Sequence, residues 1–286
     1  MGKTTKSNVI IPELFAEAIT TSLAGLTCLS GTRAAVIDKS LTSKVVGENI
    51  SVPYFGTLGE FEELNDGAAI TPSQLTSSKE TSTVKRYGLA FDMTRWARLA
   101  GTGKPYEVAS MMVVDHMQRK IDGILIDTAK DSLPNGMKLD ISAETGDEAK
   151  LSYDALVQAR QKFGDEQNEG LTLFMHSKAF GDLCLLKDSS GRPIFADVAN
   201  GALSKAFGMN VVVSDRITAD GSSNYTSLIC KPASLVAWLN GDITPFVEHS
   251  GLTDSDTVSL NFYMVGHRYK NLPGKSKGGV VAIIHK

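Results

Sequence analysis

The sequence predicts an α+β fold in which a long polar excursion is held between two strands. Three observations support this prediction. A helical pattern runs from Pro105 to about Asp131, short strand-like segments dominate the chain after Tyr225, and a stretch rich in Gly, Ser, Thr and acidic residues separates two segments of alternating polarity. No internal repeat is present, so a repeat array is not predicted.

The composition is that of a globular chain with a sizeable core. Hydrophobic residues make up 42% and charged residues 21% of the 286 residues. The net charge of −3 argues against a dedicated nucleic-acid binder. Cys28, Cys184 and Cys230 lie far apart without a CxxC pair, so neither a zinc site nor a disulfide framework is predicted. No apolar run is long enough to span a membrane, and the first residues lack the apolar core of a signal peptide.

The N-terminal residues predict an arm followed by a short helix. Residues 1–9 are polar and lack periodicity, and Pro12 suits the first turn of a helix. This helix either docks on another subunit or packs on its own domain, and the pattern is compatible with both. Its candidate contact residues, which follow the helical period, are Leu14, Phe15, Ile19 and Leu23.

Two segments with the period of a strand follow the arm. Residues 49–54 and 87–93 alternate between apolar and polar side chains. Pro53 confines the first segment to the edge of a sheet, because proline cannot donate to a strand ladder. We expect the two segments to pair as an antiparallel ribbon.

The excursion between these strands, from Gly56 to Thr83, predicts a functional element. A loop of this length without secondary structure is uncommon inside a compact domain. Its apolar content is higher than a disordered linker would show. We therefore expect the excursion to be ordered against another subunit. The candidate contact residues combine apolar and acidic side chains: Phe55, Glu60, Phe61, Glu62, Glu63 and Leu64.

The longest predicted helix begins at Pro105 and ends near Asp131. At 1.5 Å per residue it would span roughly 40 Å. Gly123 in its interior costs about 1 kcal/mol relative to alanine, so packing must hold the helix together. One face is predicted to be apolar, through Val108, Met111, Met112, Met117, Ile121, Ile124, Leu125 and Thr128.

The second half of the chain alternates between helices and strands. Ser152 is the predicted N-cap of a helix to about Phe163, and Ser177 that of a helix to about Lys187. A short helix is predicted at 203–207. Strands are predicted at 171–175, 209–213, 227–230, 235–239, 257–269 and 280–285.

No local motif predicts catalysis, a cofactor or a metal. The Gly-rich residues 101–104 precede Pro105, where a phosphate-binding loop needs Ser or Thr. The five histidines show no metal-binding spacing, and each is better interpreted as a satisfied core or surface residue. Asp122 and Asp127 are interpreted as a solvated or salt-bridged helix face. We therefore predict that the protein is not an enzyme.

Charge is segregated along the chain. Residues 242–256 carry acidic side chains without Lys or Arg, whereas 267–286 carry basic side chains without an acid. The acidic residues of the excursion are followed by Lys85, Arg86, Arg95 and Arg98. Such blocks can register neighbouring subunits. Ordinary solvated faces would show the same pattern.

Two stretches add a family resemblance. They are Leu-Lys-Asp-Ser-Ser-Gly-Arg-Pro at 186–193 and Gly-Met-Asn-Val-Val-Val-Ser-Asp at 208–215. Together with the order of arm, excursion and long helix, they resemble the tailed-bacteriophage major capsid proteins of the Hong Kong ninety-seven fold. The ordered set of parts, which covers nearly the whole chain, carries the resemblance.

The resemblance implies a division of the chain into named parts. Residues 1–30 would form the N-terminal arm and helix, and 47–92 the extended E-loop. The axial domain would comprise 150–245. The peripheral domain would comprise 31–46, 93–149 and 246–286, with its spine helix at about 105–131.

The function implied by the resemblance is mechanical. Hexamers and pentamers would close into an icosahedral shell around double-stranded DNA, bound without sequence specificity. A separate scaffold protein and a portal protein would be partners, and the virion would assemble in the bacterial host cytoplasm. No cofactor is implied. Two alternatives remain: an encapsulin-like nanocompartment, which shares the fold, and a soluble hydrolase with a dispersed active site.

Overall fold

The computed structural model describes residues 32, 34–41, 49–55, 61, 63, 72, 74, 76–101, 104–168, 170–187, 190–191, 205–206, 208–240, 243, 245–270 and 278–286. Its helices are α1 (Arg95–Ala100), α2 (Pro105–Lys130), α3 (Tyr153–Gln161) and α4 (Ser177–Leu185). Its strands are β1 (Ala35–Leu41), β2 (Asn49–Phe55), β3 (Ser77–Thr83), β4 (Lys85–Thr94), β5 (Lys138–Asp140), β6 (Thr172–Met175), β7 (Lys205–Ala206), β8 (Met209–Val213), β9 (Tyr225–Cys230), β10 (Leu235–Asn240), β11 (Pro245–Ser250), β12 (Ser255–Arg268) and β13 (Val280–His285).

Strand β12 organises the first of three sheets. One edge of β12 pairs antiparallel with β4 along the full length of β4. The other edge pairs antiparallel with β11 over its first part and with β10 over its last part. Strand β1 then pairs parallel with β10. The 14 residues of β12 thus join elements from both halves of the chain.

The second sheet has the order β5-β13-β9-β6-β8-β7 and mixes parallel and antiparallel pairs. Its central strands are buried on both faces, as their continuous apolar sequences require. Helix α3 begins at the predicted N-cap, where the Ser152 hydroxyl accepts a hydrogen bond from the Ala155 amide at 3.2 Å. The third sheet contains β2 and β3 alone.

Helix α2 packs directly on β12. Gly266 permits this approach, because a Cβ at that position would lie 2.6 Å from the Thr128 Oγ1 atom. The predicted helix is confirmed, ending at Lys130, but its apolar face is partly wrong. Val108, Met111 and Met112 are 40%, 66% and 57% exposed. The buried face instead shifts gradually around the helix axis from its first turns to its last, and it includes the polar residues Ser110 and Asp122. The apolar periodicity of the sequence did not indicate either feature.

Two ion pairs with a fully buried member join residues that are distant in sequence. Asp122 of α2 is fully buried and pairs with Arg216, which follows β8. Lys231 is likewise buried and pairs with Glu166. Asp122 therefore belongs to a salt bridge, one of its two expected environments. Losing one partner of such a pair leaves an uncompensated buried charge, which is strongly destabilising.

Most predicted elements of the second half are confirmed, with two corrections. The helix expected at 203–207 is wrong, because Lys205–Ala206 is a strand that pairs antiparallel with β8. The backbone groups of Lys205 and Ala206 pair with those of β8 at the edge of the second sheet. A helix at these residues would have left the facing backbone groups of β8 without partners. Helix α4 has His176 as its N-cap rather than Ser177, since the His176 Nδ1 atom accepts from the Lys178 amide at 3.0 Å. No described helix has the length and apolar content needed to cross a membrane.

Leu125→Ala should lower the free energy of unfolding of the unassembled subunit by about 2–5 kcal/mol, since truncating a buried leucine leaves a cavity. Leu125 is fully buried in α2, whereas Met111 of the same helix is 66% exposed. Met111→Ala is the matched control and should change stability by no more than about 0.5 kcal/mol. Urea denaturation of both variants measures the difference. Equal effects would contradict the described burial of α2.

Candidate functional site

A two-stranded ribbon made of β2 and β3 joins the two ends of the excursion: β2 directly precedes it, and β3 forms its last residues. Residues Asn49 and Thr83 pair at one end and Phe55 and Ser77 at the other. The predicted strand at 49–54 is confirmed, and Pro53 lies in a sheet of two strands, where both are edges. The predicted partner is wrong. Strand β3 pairs with β2, whereas residues 87–93 belong to β4 and pair with β12.

The pairing error has a physical reason. Strand β3 has the sequence SSKETST, whose side chains are polar on both faces, so it lacks the apolar alternation that marks a half-buried strand. Strand β4 does alternate, and it uses this pattern to pack Tyr87 and Phe91 against the core. The segment without described secondary structure is therefore shorter than expected, because Ser77–Thr83 is strand.

One face of the ribbon lies against the body of the protein. Val52 is 8% exposed, and Tyr54, Glu80 and Ser82 on the same face are partly buried. The opposite face, which includes Pro53, is exposed. An isolated two-stranded hairpin is marginally stable at best in water, so this ribbon depends on contacts at its inner face.

His267, near the end of β12, is the centre of those contacts. It is 4% exposed. Its Nε2 atom lies 2.5 Å from the Tyr54 hydroxyl, and its Nδ1 atom lies 2.9 Å from the Ser82 hydroxyl. The imidazole therefore contacts both strands of the ribbon. We call His267 and the ribbon residues Tyr54, Glu80 and Ser82 the ribbon anchor.

Aromatic rings enclose the imidazole of His267. The ring centroids of Trp238 and Tyr269 lie 6.0 Å and 5.5 Å away, and the Tyr269 ring is edge-on. The Tyr54 ring lies at 6.1 Å. These rings exclude water from the two hydrogen bonds, and a hydrogen bond is electrostatically stronger in such surroundings than in water.

The imidazole of His267 bridges two hydroxyl groups. The Tyr54 oxygen, which also accepts from the Lys270 amide at 3.4 Å, lies at Nε2, and the Ser82 oxygen lies at Nδ1. Because each hydroxyl can donate or accept, a neutral imidazole satisfies both partners with its proton on either nitrogen.

Charged side chains extend the ribbon anchor to the long helix. The Lys270 ammonium lies 3.1 Å from a Glu80 carboxylate oxygen. The Arg268 guanidinium donates to the backbone oxygens of Asp131 and Ser132, at 3.1 Å and 3.0 Å, just past the end of α2. A cation at this end also complements the negative pole of the helix. The ribbon is thus coupled to α2 through consecutive residues of β12.

Burial of the ribbon anchor shifts its proton affinities. Desolvation lowers the pKa of His267 below its ordinary value of 6.5; Glu80 opposes this shift, and the cations of Arg268 and Lys270 reinforce it. Desolvation also raises the pKa of Tyr54 above 10.0. Both shifts favour the neutral pair that the hydrogen bonds require.

The predicted contact residues of the excursion point away from the chain's own core wherever they are described. Phe55 is 62% exposed, Phe61 is fully exposed, and Glu63 is exposed. Exposed phenylalanines of this kind mark contact surfaces when they cluster. The remaining candidates lie outside the described residues: Glu60, Glu62, Leu64, Leu14, Phe15, Ile19 and Leu23.

No sequence pattern singled out the ribbon anchor. His267 was interpreted as a satisfied core or surface histidine, and it is a satisfied core histidine in the structure. Tyr54 was predicted only as one of the apolar positions in the strand at 49–54. Its partner lies 213 positions away in the sequence, so no local spacing could have indicated the contact.

The segregated charges partly pair within the chain. Arg98, from the basic stretch that follows the excursion, lies 3.3 Å from Asp256, from the acidic stretch. His249 also lies 2.6 Å from Asp256. Within the described ranges, no three potential metal ligands lie close enough together to hold an ion.

The family model described as phage capsid protein matches residues 78–271, which is more than half of the chain. The chain belongs to the phage capsid protein family. The matched range contains β4, the long helix and β12, so the elements that support the ribbon are family elements.

Solved structures show the same fold for this phage capsid protein. The capsid of a native GTA particle has a TM-score of 0.69 at 14% identity, covering 91% of this chain and 90% of that chain. The mature capsid of bacteriophage PhiM1 has a TM-score of 0.66 at 12% identity, covering 90% and 86%. A chain from Mycobacterium phage Che8 has a TM-score of 0.60 at 13% identity, covering 83% and 84%. No curated protein matches the sequence.

These comparisons confirm the predicted Hong Kong ninety-seven type fold and the role of a major capsid shell protein. The capsid protein is a structural component of the virion and works as part of a homo-oligomeric shell. The nanocompartment and hydrolase alternatives are not favoured.

Tyr54→Phe should loosen the ribbon by removing the hydroxyl that bridges His267 and the Lys270 amide. A typical hydrogen bond contributes about 0.5–1.5 kcal/mol, so amide exchange in residues 49–55 and 77–83 should accelerate by up to about tenfold. Hydrogen exchange with mass spectrometry measures this. The matched control is Tyr263→Phe on β12, whose side chain is 45% exposed. Unchanged exchange in Tyr54→Phe would contradict the ribbon anchor.

Acid should destabilise the capsid protein as pH falls below 6.5. The folded protein binds a proton at His267 less tightly than the unfolded chain does, so unfolding takes up protons in this range and its free energy falls. One such group contributes at most about 1.4 kcal/mol per pH unit. His267→Gln should flatten the curve in part, since His285, whose pKa burial also lowers, remains. Denaturation curves at several pH values test this, and identical pH dependence in the variant would contradict it.

Proposed function

We propose that the capsid protein assembles as hexamers and pentamers into an icosahedral shell that encloses double-stranded DNA. The anchored ribbon carries this proposal. The ribbon is fixed at its inner face by His267 and Lys270. Phe55 at the end of the ribbon and Phe61 beyond it are exposed. A rigid base with an exposed apolar end is suited to joining a neighbouring subunit.

The proposed parts of the subunit follow the family architecture with revisions. The expected bounds were 1–30 for the N-terminal arm, 150–245 for the axial domain, and 31–46, 93–149 and 246–286 for the peripheral domain. Because β10 pairs with β12 and β13 pairs with β9, we now propose that β10 belongs to the peripheral domain and β13 to the axial domain. The E-loop was expected at 47–92. Because β4 pairs along β12, we now propose that the E-loop ends with β3 at Thr83 and that β4 belongs to the peripheral domain.

Two segments of each subunit are proposed to contact neighbours. The E-loop contacts are Phe55, Glu60, Phe61, Glu62, Glu63 and Leu64. The arm contacts are Leu14, Phe15, Ile19 and Leu23. Apolar side chains would supply most of the affinity at these contacts, and the acidic side chains would set the register against basic surfaces.

The shell does not need a strong individual contact. Each subunit repeats the same interfaces around a closed symmetric assembly, so modest contacts add up. A separate scaffold protein, a portal protein and the enclosed DNA are the proposed partners. The net charge of −3 argues against a dedicated nucleic-acid binder, so we propose that the DNA is enclosed without sequence-specific binding. Assembly is proposed to take place in the bacterial host cytoplasm.

Removing residues 57–75 of the E-loop should abolish shells while preserving the subunit. Residues 57–75 lie between β2 and β3, so a two-residue Asn-Gly turn in their place can close the ribbon. We expect a soluble subunit with wild-type circular dichroism that forms no shells in electron micrographs, because the neighbour contact is lost.

The matched control keeps the length of the E-loop and changes only its chemistry. Replacing residues 57–75 by Gly and Ser retains the connection but removes the apolar and acidic side chains. This variant should also fail to form shells if the side chains bind the neighbour. Normal particles from either variant would overturn the proposed role of the E-loop.

A further inference from the structure

A small apolar pocket lies between the long helix and the first sheet. Its volume is about 150 Å³. The floor consists of two cross-strand pairs from β4 and β12, namely Tyr87 with Phe262 and Leu89 with Leu260. The wall is formed by α2, whose Val113 and Met117 are buried.

The pocket has the size and lining for one aromatic side chain. Apolar cavities of about 150 Å³ lined by such residues accept benzene. The Tyr87 and Phe262 rings are stacked, with centroids 5.5 Å apart, and both line the pocket. Leu89 is 46% exposed, so the pocket is open to solvent on the side of β4.

Basic and titratable side chains of α2 line the same opening. His116 and Lys120 both contribute to the pocket and are exposed. The Lys120 ammonium lies 5.3 Å from the centroid of the Tyr87 ring. A guest that complements this opening would place an apolar ring in the pocket and a carboxylate beside it.

Phe61 of the E-loop has this chemistry. It is fully exposed, so it does not occupy the pocket of its own chain. The sequence from 60 to 63 is Glu-Phe-Glu-Glu, and Glu63 is exposed as well. Leu252, the other fully exposed large apolar residue among those described, has only Asp254 within two residues.

We propose that Phe61 of one copy inserts into the Tyr87–Phe262 pocket of a second copy, with Glu63 directed toward Lys120 and His116. This inference rests on the proposed shell and names the surface that receives the E-loop. The aromatic ring would provide the buried centre of the contact and the ion pairs its rim, as in other protein interfaces.

Photochemical crosslinking tests the placement of Phe61 directly. A diazirine amino acid is introduced at position 61, and shells are assembled from a mixture of isotopically heavy and light subunits. We expect crosslinked peptides that join position 61 to residues 87–89, 113–120 or 260–262, with mixed isotope labels that show two copies. Crosslinks confined to other regions, or to a single copy, would overturn the proposal.

Assembly measurements test the energetic role of the pocket. Phe61→Ala and the pocket-filling variant Leu89→Trp should each raise the subunit concentration needed for shells by about tenfold or more, as truncation of an aromatic anchor typically does. The matched controls are Leu252→Ala and Val247→Trp, at exposed positions outside the pocket. These controls should leave the required subunit concentration unchanged. Circular dichroism checks that each variant is folded.

A charge exchange tests the rim. Lys120→Glu should raise the required concentration by a few-fold, and adding Glu63→Lys should restore much of it, because each change alone places like charges together. If the wild-type protein forms shells and the Phe61, Leu89 and Lys120 variants need the same subunit concentration as the wild type, the pocket contact is overturned and the proposed function stands. Wild-type protein that forms no shells at all would overturn both.

Discussion

The buried contact between His267 and the two strands of the ribbon is the interaction on which the orientation of the ribbon depends. Strand β3 has polar side chains on both faces, and a two-stranded ribbon is marginally stable at best alone, so contacts with the body must fix its orientation. The imidazole is hydrogen-bonded to both Tyr54 and Ser82, so one side chain fixes both strands. Because aromatic rings surround it, loss of either hydrogen bond would leave a buried polar atom without a partner, which costs more than the bond contributes.

The same short stretch of β12 connects the ribbon to the rest of the subunit. His267 contacts the ribbon, Arg268 contacts the end of α2, and Lys270 pairs with Glu80. Gly266 lets α2 lie directly on the strand. A force applied to the ribbon would therefore act, through these contacts, on the longest helix and on the central strand of the first sheet. A shell subunit benefits from this arrangement, since the contacts of a closed assembly have to keep their geometry.

The sequence predicted those elements whose information is local. The helix from Pro105, the Ser152 cap and the strands after Tyr225 follow from periodicity and capping, and the structure confirms them. The partner of β2 could not be predicted, because Ser and Thr on both faces of β3 give no period. The ribbon anchor was equally hidden, since burial of His267 is created by residues distant in sequence. The excursion was singled out by its length and composition, which are local properties.

A three-dimensional reconstruction of the assembled shell tests the account most directly. In it, Tyr54 and Ser82 should remain hydrogen-bonded to His267 of their own subunit, while the side chains from Phe55 to Glu63 contact an adjacent copy. This result would show that a ribbon fixed at its base joins the subunits. A ribbon detached from His267, or one that touches only its own subunit, would contradict it.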